Sequence, residues 1–293
     1  MYMSISIPEK YKTIVADSAL LVVAAIWGGG FIAAKEALMT ITPLGLLMSR
    51  FLLSAIVMLV LFHRVIIKHH SKQDVFFGVI VGVIQFIAFN FQLQGLNLTT
   101  VEKHSFLITS YVIFVPFISW VATRHAIGRK DIVCAILAMI GMALLCLKPG
   151  ESLSFSLGDI LSVVAALCFS AQIVFVGNFV KGANMISMSF FQLATLGILG
   201  IPFAGLDSVM HMSLPSLYGL LYLVFFNTAL AFSMQNVAQQ YTSDAHASLC
   251  ISFESVFGFI FAVLFYGSMV TALEITGCFL ILAAILGANM KTL

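Results

Sequence analysis

Six polar or aromatic side chains stand near the middle of long apolar runs: Trp27, Gln85, Tyr111, Gln172, Asn227 and Glu254. In a water-free interior such groups are costly unless they face protein or a wet cavity. Amides and hydroxyls there can glue helices together, or line one shared cavity and bind a substrate. Glu254 is the sharpest case. A buried carboxylate can hold a proton, receive a cationic group, or alternate between the two. His246, Cys250 and Glu254 recur every four residues and share a helical face, which offers a proton route toward the acid. Trp27 and Tyr111 suit stacking or cation–π contact. Lys35 and Arg50 lie nearer the helix ends and are candidate partners for a substrate carboxylate, or side chains that reach the headgroups.

The elements that carry these residues are apolar. The chain has 293 residues, 61% hydrophobic and 9% charged. Soluble domains carry about 25% charged residues, so the composition indicates an all-α integral membrane protein. A crossing helix needs about 20 apolar residues. Ten runs qualify: 17–39, 43–62, 74–95, 100–122, 131–147, 158–180, 187–203, 214–236, 245–266 and 272–290. Turn residues separate them, among them Thr42-Pro43, Lys148-Pro149-Gly150, Asp207, Pro215 and Tyr241-Thr242-Ser243. Pro116 is expected to kink the fourth helix. Gly28-Gly29-Gly30 lacks phosphate-cradle spacing and suits close packing or a gate, and Gly78 with Gly82 forms a GxxxG packing face. Cys134, Cys146, Cys168, Cys250 and Cys278 all fall in apolar runs without a CxxC pair, so no metal site and no disulfide is expected. Nothing in the sequence calls for a cofactor, and no basic domain exists that could track a nucleic acid.

The chain also repeats itself. Val22-Val23-Ala24-Ala25-Ile26 is echoed by Val163-Val164-Ala165-Ala166-Leu167 at an offset of 141. Glu102-Lys103-His104-Ser105-Phe106-Leu107 is echoed by Asp244-Ala245-His246-Ala247-Ser248-Leu249 at 142. Two five-helix units follow, 17–147 and 158–290. With the N-terminus inside, ten loop cations lie on the cytoplasmic side and only Lys103 and Lys148 outside. Both termini are then cytoplasmic. An odd number of helices per unit makes the second copy enter from the opposite side, an inverted repeat around a central cavity. The basic stretch from His63 to Lys72 is expected at anionic lipid headgroups.

Trp27-Gly28-Gly29-Gly30-Phe31, Pro43, Arg50-Phe51, Gln94-Gly95-Leu96, Ser105-Phe106-Leu107, Val115-Pro116-Phe117 and Gly141 resemble the first half of EamA-type carriers of the drug/metabolite transporter superfamily. Gln235-Asn236, Tyr241-Thr242, Ala247-Ser248-Leu249, Phe253-Glu254 and Gly277 resemble the second half. The chain departs from that pattern at Ser255, where a proline usually follows the glutamate, and at Gly267-Ser268, where a second glutamate often stands. The resemblance implies ten helices, a central cavity and transport of small metabolites. The expected activity is secondary transport of a small polar or zwitterionic metabolite, an amino acid or related compound, by alternating access with proton coupling or exchange. The expected setting is the cytoplasmic membrane, with the lipid bilayer and a small molecule as partners, as a monomer or weak homodimer. The alternatives are an intramembrane enzyme, for which neither a GxSxG nor an HExxH motif is present, and a channel-like protein.

Overall fold

The structure is a computed structural model that describes residues 9–99, 101–124, 127–146, 156–180, 182–204, 206–266 and 271–289. Lys148, Lys181, Lys291 and Gly267-Ser268 lie outside the described residues, as do the side chains of Lys10, Phe31 and Lys103. Every regular element among the described residues is helical. The chain runs through α1 (Glu9–Ala37), α2 (Pro43–Lys68), α3 (Lys72–Leu98), α4 (Val101–Thr109), α5 (Tyr111–Thr123), α6 (Arg129–Cys146), α7 (Leu157–Phe179) and α8 (Met185–Gly200). A 3-10 turn (Ile201–Phe203), α9 (Leu206–Met210), α10 (Leu214–Tyr222), a π-helical segment (Leu223–Leu230) and α11 (Ala231–Ala238) follow. The last elements are α12 (Asp244–Ser252), α13 (Glu254–Tyr266) and α14 (Ala272–Asn289).

Helix starts are written in the sequence. Ser71 with Asp74 and Ser156 with Asp159 form reciprocal capping boxes at α3 and α7. Thr42 caps α2, with Pro43 at its first position, and Ser243 caps α12. Among the described residues, eight stretches are long and apolar enough to cross a membrane. The expected runs at 131–147 and 272–290 are also helices, α6 and α14, each of 18 residues. They pack along each other, while α3 lies between α7 and α8, and α1 runs against α10, α11 and α13. Large apolar side chains such as Val60, Leu61, Leu264 and Phe265 face outward, whereas Gln85, Gln192, Gln235 and Asn236 are buried. That is the polarity of a bundle solvated by hydrocarbon. Gly78 and Gly82 do form a packing face: a side chain at either would meet the backbone of α8 at 2.7 Å.

Two irregularities shape the interior. The fourth helix of each unit is broken at matching places, at Ser110 between α4 and α5 and at Phe253 between α12 and α13. Hydroxyls near each break turn back on the chain: Ser110 Oγ donates to Leu107 O (2.6 Å), and Ser252 Oγ to Leu249 O (2.7 Å). Such bonds compete with the helical ladder and bend it. The break beside Glu254 therefore forms without the missing proline, and Pro116 sits inside α5, six residues beyond the first break, rather than at it. The second irregularity is the π-helical segment. Its carbonyls take side-chain donors from other helices: Ser54 Oγ to Val224 O (2.9 Å) and Trp27 Nε1 to Asn227 O (2.9 Å). π-turns inside α-helices frequently occur at functional sites.

Candidate functional site: a polar cavity in the bundle

A cavity of about 520 Å³ lies inside the bundle. It falls in the range of small-molecule sites, roughly 300–1,000 Å³. α1 contributes Trp27, Gly30 and Lys35, α2 contributes Arg50 and Phe51, and α4 and α5 contribute His104 and Tyr111. Gln172 comes from α7, Asn227 from the π segment, Gln235 from α11 and Glu254 from the start of α13. The lining extends from the middle of the bundle to the end where α1 finishes and α2 begins, past Leu38, Met39 and Pro43. Lys35 stands exposed toward that mouth. At the other end the cluster of Leu20, Val112, Ile173, Ala247, Leu249 and Ile251 packs the bundle shut.

Five of the six midplane residues read from the sequence therefore border one cavity, as do both cations. Gln85 does not, and the expectation for it is corrected. It is fully buried, and its Oε1 accepts from Gln192 Nε2 at 2.7 Å. Gln192 Oε1 in turn accepts from Asn236 Nδ2 (2.7 Å), which also donates to Ser189 Oγ (2.8 Å). This chain ties α3, α8 and α11 together and is helix glue. Its depth in α3 was readable, but not which way it faces. His104 and Gln235 were missed as site residues, although both stand within the stretches that carried the echo and the resemblance.

The wall of the cavity is built by few, strong contacts. Arg50 donates from Nε to Thr228 Oγ1 (2.5 Å) and from Nη2 to Asn227 Oδ1 (2.6 Å). Its guanidinium also lies over Phe51 and Phe89, 5.0 and 5.6 Å from the ring centres. Asn227 Nδ2 and Tyr222 Oη both donate to Ile26 O, at 3.1 and 2.9 Å. α1 is thereby fastened to α10 and the π segment at Ile26, two residues before the glycine triplet of α1. At Gly28 a side chain would stand 2.7 Å from both Glu254 O and Gly258 N, so α1 touches the backbone at the second break. Phe89 makes edge contacts with Phe51, Phe169 and Phe232, and Trp27 tilts on Phe232 at 5.2 Å. The result is an aromatic wall.

Against that wall stand polar atoms left unsatisfied. Tyr111 Oη, Gln172 Nε2, Gln235 Oε1 and His104 Nε2 are buried without a hydrogen-bond partner among the described residues. The Tyr111 phenol faces Glu254, yet closes no bond of full geometry. In hydrocarbon each unpaired group costs several kcal/mol, so four lining one cavity call for water or a ligand. The expected His246–Cys250–Glu254 face is interrupted at Phe253. His246 sits instead beside Asp17, with Nδ1 3.3 Å from its Oδ1.

The comparisons agree with this architecture. A crystal structure only 14% identical in sequence superposes with a TM-score of 0.76, over 94% of this chain and 96% of that one; at that identity the likeness concerns the fold. An uncharacterised transporter of Archaeoglobus fulgidus is 30% identical over 284 residues, 97% of this chain and 88% of that protein. The profile of the EamA-like transporter family matches twice, over residues 14–147 and 156–290, so the duplication seen in the sequence is two copies of one unit. Bundle, duplication and relatives converge: the chain is a multi-pass membrane protein that belongs to the EamA-like transporter family.

Proposed function

We propose that the protein is a secondary carrier for a small zwitterionic metabolite of amino-acid type, working by alternating access across the cytoplasmic membrane. In this reading ten helices cross the bilayer, α6 and α14 among them, as two inverted units at 17–147 and 158–290. Both termini lie in the cytoplasm, and the mouth beside Lys35 and Met39 is the outer one. The observation that carries the proposal is the cavity itself: Glu254 and the unpartnered atoms of Tyr111, Gln172 and Gln235 share one space with an aromatic wall.

The chemistry follows from the residues. Glu254 offers a carboxylate to a substrate ammonium or to a proton. Tyr111, facing it, supplies a hydroxyl that serves either protonation state. Gln172 donates and Gln235 accepts. Trp27, Phe89 and Phe232 cover the apolar part of the substrate. Arg50 shapes the wall, because two of its donors are taken by Asn227 and Thr228. Lys35, at the mouth, attracts the substrate carboxylate during entry.

The test is counterflow in proteoliposomes loaded with single amino acids, with and without an imposed pH gradient. Wild type should exchange at least one of them saturably. Glu254→Gln mimics the protonated acid. If Glu254 carries a coupling proton, the variant loses gradient-driven accumulation and keeps exchange. If it binds the ammonium, accumulation and exchange fall together. Wild-type rates and wild-type pH dependence in the variant would remove Glu254 from the mechanism.

A further inference from the structure

A second cluster lies at the opposite end of the bundle from the cavity mouth. Asp17 on α1 and His246 and Cys250 on α12 each point one ligand atom into the same space, all within 4.8 Å of one another. Asp17 is 8% exposed and Cys250 fully buried. Thr242 Oγ1 donates to Asp17 Oδ1 (2.9 Å) and lies 3.2 Å from His246 Nδ1. The other ring nitrogen of His246 is buried without a partner. Thr242, which contacts both Asp17 and His246, directly follows the exposed Tyr241, so the cluster adjoins the surface turn.

A hydrogen-bonded pin would account for the aspartate and the histidine alone, and the duplication shows what such a pin looks like. An offset of 142 carries Asp17 to Asp159 and His104 to His246. At the corresponding place on the opposite side of the bundle, again between the two units, Thr99 Oγ1 donates to Asp159 Oδ1 (2.7 Å), and His104 Nδ1 is 2.7 Å from Ser162 Oγ. The same shift places Ile108 opposite Cys250. The pin therefore works without sulfur at one end and acquires a thiol at the other. Histidine and cysteine four residues apart, with a carboxylate from a facing helix, are an N/S/O ligand set of the kind zinc takes in tetrahedral sites that keep one position for water.

We propose that Asp17, His246 and Cys250 form a site for a thiophilic divalent cation of the zinc class, which staples α1 to α12. Binding converts the Cys250 thiol to a thiolate and releases its proton to water. The staple holds the narrow end of the bundle shut, so the ion would arrest the cycle with the cavity facing the mouth. That consequence rests on the carrier reading; the site does not.

The test is therefore a binding measurement on the purified full chain in detergent. Titration with Co²⁺ should raise a thiolate-to-metal absorption band that saturates at one equivalent and is displaced by Zn²⁺ but not by Mg²⁺. Cys250→Ser should abolish the band, and His246→Gln and Asp17→Asn should weaken Co²⁺ binding at least about tenfold. Absence of the band in wild type at saturating Co²⁺ overturns the proposal whatever the variants do. So does a band that survives in Cys250→Ser, or Zn²⁺ stabilisation equal in wild type and all three variants, which would place the ion elsewhere, such as at His69-His70. Inhibition of counterflow by Zn²⁺ is a separate readout: its absence with binding intact would count against the carrier consequence alone.

Discussion

At the residue scale, Arg50 and Glu254 divide the work of charge differently from what their depth in the helices suggests. Arg50 is a candidate substrate cation by sequence, yet it holds Thr228 and Asn227 with two different nitrogens and lies over two rings. A lysine cannot reproduce that fork. Arg50→Lys should therefore destabilise the protein by about 1–3 kcal/mol, through an acceptor left unpaired in the wall. Thermal unfolding in detergent reads this directly; an unchanged midpoint would mean the contacts are dispensable. Glu254 and Tyr111 were legible because an acid and a phenol midway along apolar runs have few uses. Gln85 was legible in depth and not in direction, since an amide bonded to Gln192 and one facing a cavity look identical in a one-dimensional pattern.

At the element scale, the informative parts are where helices stop being regular. The breaks at Ser110 and Phe253 and the π segment Leu223–Leu230 all border the cavity. Local serines make the breaks readable in hindsight. The π segment depends on donors from Ser54 and Trp27, which are remote in sequence, so no local pattern announces it. Gln235, on α11, lies beyond that segment and lines the cavity. α1 is the element that senses both irregularities, through Ile26 O and Gly28. Gly28→Ala brings a carbon against the backbone of α13 and should cost about 1–3 kcal/mol. It should also weaken substrate affinity, because Glu254 O is one of the two atoms struck. Equal stability and equal exchange in Gly28→Ala would show that the approach of α1 to α13 is looser than described.

At the scale of the whole molecule, the duplication explains why one half alone makes no site. Trp27, Arg50 and Tyr111 come from the first unit, and Gln172, Asn227, Gln235 and Glu254 from the second. The ten apolar runs were readable from composition and hydrophobic length, because a bilayer imposes those on any chain, whereas the repeat came from the echoed segments and the family from the resemblance of motifs such as Phe253-Glu254. How the units face each other was not, since it is fixed by contacts such as α3 between α7 and α8. The central claim is that this shared space is the substrate's path, open at one end. Thiol labelling of Gln172→Cys tests it, in a protein whose five native cysteines are replaced by alanine. A small membrane-impermeant reagent should modify it from the outer side, the side from which Lys148→Cys also reacts, and saturating substrate should slow modification at position 172 but not at 148. A cysteine at 172 that stays inert from both sides, or reacts at the same rate with substrate present, would contradict the account.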